Sequence, residues 1–107
     1  MGMTESKYQA KIIQKLKDMF PGCLITKIDT SFQQGLPDLL ILWRKHWAVL
    51  EVKLSKAARS QPNQNHYIER LNTMSYAAFI YPENEEEVLS ALQQAFKPPR
   101  GTRIFES

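Results

Sequence analysis

The chain has 107 residues, 43% hydrophobic and 23% charged, with a net charge of +3 and a pI near 9.1, which suits one ordinary globular core. No apolar run nears the roughly 20 residues of a membrane span, Met1-Gly2-Met3-Thr4-Glu5 has no signal-peptide pattern, and the lone Cys23 excludes an internal disulfide and a cysteine-rich zinc site. The expectation is an intracellular, cytoplasmic chain with Cys23 as a small buried apolar residue, mildly basic in a way compatible with a polyanionic partner.

In chain order, Thr4 caps a first helix whose stripe of Tyr8, Ile12, Leu16 and Met19 or Phe20 runs to about Met19, where Pro21-Gly22 ends it. One turn before that stripe stands Glu5, an acid at the end of an inward face, while Lys7, Lys11 and Lys15 occupy another face. Leu24 to about Asp29 reads as a strand and the polar stretch from Thr30 to Gly35 as a loop. Two apolar strands follow, from Leu39 to Trp43 and from Ala48 to Lys53, joined through Arg44, Lys45 and His46. A second helix starts around Ser60 to Pro62 and ends near Asn72. Its inward stripe of Ile68, Leu71 and Met74 begins one turn earlier with Gln64. Ala77 to Tyr81 is a further buried strand closed by Pro82. Asn84 then caps a third helix with Glu85, Glu86 and Glu87 in its first turn and Val88, Leu89, Leu92 and Phe96 on its apolar face. Lys97 to Gly101 reads as a turn or linker, and Arg103-Ile104-Phe105 as a short edge strand or tail. The order is αβββαβα, with no internal repeat and no domain boundary, so residues 1–107 form a single α/β domain.

Apolar strands of this kind belong in the middle of a sheet, where a lone charge is costly unless paired or bound to metal. Glu51 and Lys53 share a face because side chains alternate along a strand. If Arg44-Lys45 is the whole loop, Asp38 lies opposite Glu51; if the loop extends through Trp47, Asp38 lies opposite Lys53. Either register gathers the three charges on one face, whereas a regular three-residue loop flips Asp38 away, so the expectation is one of the two even loops or a bulge that restores the parity. Such a group suits phosphodiester hydrolysis, which needs an activated water and stabilised phosphoryl oxygens. Magnesium takes oxygen ligands, often from only one or two carboxylates, so Asp38, Glu51 and the Val52 carbonyl fit it, with Lys53 as the cation beside it. Glu5 and Gln64, from the two helix ends, are placed to hold a second ion or its water shell. Taken singly these residues have ordinary readings: Glu5-Ser6-Lys7 also matches Glu-x-Lys, Pro-Asp commonly starts turns, and Glu51 with Lys53 would serve as a solvent-facing strand pair.

On Pro37-Asp38 and, thirteen positions beyond Asp38, Glu51-Val52-Lys53, the sequence resembles the PD-(D/E)XK nuclease superfamily, and within it the Holliday-junction-resolvase and VRR-NUC branch. The resemblance spans about Glu5 to Leu92. It implies a restriction-endonuclease-like core, a mixed sheet flanked by helices, with an early helical acid matching Glu5 and a helical glutamine matching Gln64 in Pro62-Asn63-Gln64-Asn65-His66-Tyr67. It also implies magnesium- or manganese-dependent DNA cleavage, with Glu5, Asp38 and Glu51 as ligands and Lys53 catalytic, in a homodimer acting on branched DNA. The chain departs from the pattern before Gly35, where the loop is rich in Gln instead of basic residues.

Candidate phosphate contacts are Lys7, Lys11, Lys15, Arg44, Lys45, and above all Lys56 and Arg59, which follow Lys53 most closely; His66 is a further one. Glu83 to Glu87 are expected to face away from the nucleic acid. His46 and His66 lack the close helical spacing of a zinc pair. The leading expectation is a structure-selective nuclease of the kind a phage or mobile element carries. The competing ones are a nicking or restriction-like nuclease on linear duplex, a DNA-binding module without catalysis, and an unrelated α/β interaction protein.

Overall fold

The computed structural model describes residues 2–97. Helix α1 (Glu5–Met19) begins where Thr4 Oγ1 accepts the Lys7 amide N–H at 3.2 Å, satisfying one free donor of the first turn. Strands β1 (Leu24–Lys27), β2 (Leu39–Trp43) and β3 (His46–Val52) follow, then α2 (Pro62–Asn72), β4 (Tyr76–Ile80), a 3-10 turn (Pro82–Asn84) and α3 (Glu85–Ala95). The strands form one sheet in the order β1-β2-β3-β4, antiparallel except for the parallel pair β3 and β4. That parallel pair requires a crossover, which α2 supplies. The architecture is therefore a mixed α/β fold in the expected order, with helices on both faces of the sheet.

Alternation along the strands divides the core in two. Leu39, Ile41, Ala48, Leu50, Val52 and Ile80 pack with Tyr8, Ile12 and Leu16 of α1 and Val88 and Leu92 of α3. The opposite face carries Leu40, Val49, Ala77 and Phe79 against Ile68 and Leu71 of α2. Asp38, Glu51 and Lys53 have the parity of this second, smaller face.

Trp43 pairs with His46, so Arg44-Lys45 is a two-residue hairpin loop, the first of the two even loops expected. Arg44 takes φ of 59°, a position that normally favours Gly. Its guanidinium sits 4.3 Å from the Trp43 ring centroid, a cation–π contact of about 0.5 to 1 kcal/mol that offsets part of this backbone strain.

Four local expectations are corrected. β1 ends at Lys27 instead of Asp29, although the Ile28 N–H still donates to the Asp38 carbonyl at 2.8 Å. Met74 is 57% exposed, because α2 stops at Asn72 and the helical period that would have turned it inward is broken. The Asn84 side chain does not cap α3; it accepts the Tyr81 N–H at 2.9 Å and donates to the Phe79 carbonyl at 3.1 Å, fastening the 3-10 turn instead. Cys23 is only partly buried, packed against the larger core with its thiol pushed up by desolvation. Among the described residues no helix is long and apolar enough to cross a membrane. Arg103-Ile104-Phe105 and residues 98–101 lie outside the described residues.

Candidate active site

The site forms at the end of β3, where an apolar strand runs straight into Glu51 and Lys53. Continuing the β2–β3 register one step past Leu39 opposite Leu50 sets Asp38 opposite Glu51. Asp38 is half-buried and its Oδ2 accepts the Val52 amide N–H at 3.0 Å. One residue further, Val52 stands opposite Pro37, which has no amide hydrogen to offer. The Lys53 N–H bonds the Ile80 carbonyl of the β4 side, so the Val52 carbonyl points to the other side, toward Pro37, and meets no donor in the ladder. Pro37 thereby leaves a main-chain oxygen free beside two carboxylates.

Glu51 is 2% exposed, the one buried charged side chain among the described residues. Its Oε2 accepts Gln64 Nε2 at 2.7 Å and lies 3.5 Å from Lys53 Nζ, while its Oε1 is buried without any hydrogen-bond partner. Burial, then the neighbouring Asp38 charge, push its carboxyl up from 4.5 to about 7, against a smaller opposing pull from Lys53. Burial also raises Asp38, while the Val52 N–H and the charges of Lys53 and Lys27 oppose the rise.

Lys53 Nζ donates to Gln64 Oε1 at 3.0 Å and to the Arg59 carbonyl at 3.4 Å, so its ammonium is held between the strand, α2 and the loop that joins them. Gln64 Oε1 also accepts the Gln61 N–H at 3.2 Å, which ties the glutamine to the start of its own helix. Gln64 therefore cross-links the acid and the lysine from the first turn of α2, whose positive dipole end favours negative charge there. A glutamine does this without adding a third carboxylate.

Asp38, Glu51, Lys53, Val52 and Gln64 thus meet as expected. Glu5 does not join them: it is exposed on α1, across the sheet from α2, and reaches Glu51 only as a weak electrostatic influence. Among the described residues no three acids, histidines or cysteines stand close enough to share an ion. A magnesium ion nevertheless fits the donor set, since it needs only one or two carboxylates and keeps several waters. The unpartnered Glu51 Oε1 and the freed Val52 carbonyl are oxygens that such an ion would satisfy.

The expected DNA contacts separate. Lys56 and Arg59 are exposed beside Lys53, in the loop between β3 and α2. Lys15 pairs with Glu85, which also accepts Tyr8 Oη at 2.9 Å and has its own acidity strengthened by these partners, so Lys15 braces α1 to α3 instead of reaching outward. Arg44 and Lys45 sit at the far end of β3, roughly 20 Å from the site at about 3.3 Å per residue. Lys7 and Lys11 remain exposed on α1, and His66 is exposed on α2 with its ring edge-on to Tyr67. Glu83 is not remote from the basic loop, because its Oε1 accepts the Lys56 backbone N–H at 3.1 Å. The roles of Pro37, Gln61 and the Tyr8–Glu85–Lys15 group went unread in the sequence. Gln61-Pro62-Asn63-Gln64, with a polar residue three before another at a helix start, is the one signal that pointed to any of them.

A four-stranded mixed sheet between helices, with two acids and a lysine gathered at the end of a central strand, defines an α/β fold with a polar centre suited to a divalent ion. No family model and no curated protein matches the chain. Among solved structures it is similar to a VRR_NUC domain protein, at 23% identity over 90% of each chain, with a TM-score of 0.62. At that identity the likeness establishes a VRR-NUC-like fold.

Proposed function

We propose that this chain is a magnesium-dependent endodeoxyribonuclease, with manganese able to substitute, that acts inside the cell on branched DNA as a homodimer. The observation that supports it most is the buried Glu51 carboxylate, short of one partner and faced by Asp38, in a cluster that also holds Lys53. An ion bound there would polarise the phosphoryl oxygen and acidify a water at neutral pH. Asp38, Glu51 and the Val52 carbonyl would hold it, with Glu5 at most contributing to its outer water shell.

Lys53 orients the attacking water or offsets charge on the phosphoryl oxygens. Gln64 fixes the Glu51 carboxylate and the Lys53 ammonium in one geometry, so neither has to reorganise as charge develops. Lys56 and Arg59 take the flanking phosphates, and Lys7 and Lys11 lend a wider basic field. The two strands of a branched substrate call for two such centres, hence the homodimer.

The test is cleavage of a four-way junction and matched linear duplexes with magnesium, by the unmodified chain and by Asp38→Ala and Lys53→Ala. Cleavage of the junction, lost in both variants and in EDTA, supports the proposal; equal activity in all three removes it. Duplex cut as readily as junction would leave a nuclease without branch selectivity, and gel filtration decides the dimer.

A further inference from the structure

The Gln-rich segment before Gly35 has no part in the chemistry above, yet it borders the acids. Phe32 lies in it and is 93% exposed, the most exposed large hydrophobic side chain among the described residues. The loop that carries it is braced. Asp29 Oδ1 accepts the Ser31 N–H at 2.9 Å, and Gln33 Nε2 donates to Tyr67 Oη on α2. Gly35, at φ of 95°, lies so close to α2 that a Cβ there would come within 2.4 Å of Asn63 Cβ. An apolar ring is therefore held out in water by a loop with little freedom to fold it back.

The same loop, through Ser31 next to Phe32 in the chain and through Gln34, walls a cleft of about 480 Å³ with Gln61 and Gln64 of the α2 side, Asp29 and Asp38 also lining it. No lysine or arginine lines it, so apart from the phosphate at the ion held by Asp38, flanking phosphates are drawn to the Lys56 and Arg59 side of Lys53. Hydroxyls and carboxamides instead match the donor and acceptor edges of an uncharged nucleobase. A base can enter such a cleft only when it is unpaired, and the exposed aromatic ring one residue along the chain from the Ser31 wall offers a stacking surface.

We propose that Phe32 stacks on an unpaired nucleobase whose edge is received by the Gln-lined cleft, making this loop the element that selects DNA with unpaired or unstacked bases. It rests on the nuclease reading for its substrate class, but its binding step stands apart from cleavage.

The test uses a duplex with a single-base bulge, 2-aminopurine as the bulged base, and the fully paired duplex as control. In EDTA the unmodified chain and Phe32→Trp should quench the fluorophore on binding, and Phe32→Ala should leave it bright. In magnesium, Phe32→Ala should cut the bulged duplex about tenfold more slowly, as loss of one stacking contact predicts, with the paired duplex cut at the unchanged rate. Phe32→Ala behaving as the unmodified chain, or losing both substrates equally, overturns the proposal. Quenching without cleavage of any substrate removes the nuclease reading and leaves the stacking site; cleavage without quenching does the reverse.

Discussion

Replacing Glu51 with Gln isolates the titration of one buried carboxyl from everything else in the fold. In the folded chain this group sits near 7 against its ordinary 4.5, so between those values the folded state holds a proton that the unfolded state releases. The associated stability is fully present below about 4.5 and is lost as pH rises through about 7, an effect on the order of 3 kcal/mol over the whole window. Gln cannot titrate, so the stability difference between the two proteins should change by about 2 to 3 kcal/mol between pH 5 and pH 8, whatever its absolute offset. Asp38 drifts in the same direction in both and largely cancels. Urea unfolding in EDTA at four pH values measures this directly, with the midpoint gap moving by roughly 1 to 2 M. The Glu51→Gln variant should gain relative to the unmodified chain as pH rises; adding magnesium at pH 8 should then stabilise only the unmodified chain. Parallel curves from pH 5 to pH 8 would refute the claim that burial and Asp38 hold this carboxyl protonated.

Pro37→Ala restores an amide hydrogen opposite Val52, so the freed carbonyl should be taken up by the ladder and magnesium affinity, read by thermal shift, should fall about tenfold. Gly35→Ala combines a positive φ with a clash at Asn63 and should cost about 2 to 3 kcal/mol in urea unfolding, with faster proteolysis of the loop that carries Phe32. Lys15→Ala removes a partly exposed brace on Glu85, so it should cost under about 1 kcal/mol of stability and leave DNA affinity unchanged. Lys56→Ala should do the opposite, weakening DNA binding and lowering the salt-dependence slope by about 1 in a fluorescence-anisotropy titration.

Fold order and the central constellation were legible because both rest on local periodicity. The α1 stripe of Tyr8, Ile12 and Leu16 and the shared face of Asp38, Glu51 and Lys53 follow from the 3.6 and 2 repeats alone, whereas those repeats admit two even loops and only the folded hairpin selects Arg44-Lys45. Gln64 was legible for the same reason, as the polar residue beginning the stripe that Ile68 continues. Long cationic side chains were not, since helical spacing says which face Lys15 shares with Lys7 and Lys11 but not that α3 brings Glu85 to meet it. Glu5 shows the same limit: its turn of the helix was right, but α1 packs on the sheet face away from Gln64 and leaves the acid in water.

The amino-acid order by itself determined the α/β class and the shared face on which Asp38, Glu51 and Lys53 gather, because alternation and helical repeat depend only on neighbouring residues, whereas the choice between the two even registers was made by the folded hairpin. Only the tertiary structure decided that Glu51 is buried with an oxygen unpaired, that Gln64 bridges it to Lys53, and that Lys15 is tied to Glu85 while Phe32 stands in solvent. Those outcomes depend on which surfaces distant segments cover, and desolvation, the largest cause of the Glu51 shift, does not exist until α2 closes over the sheet.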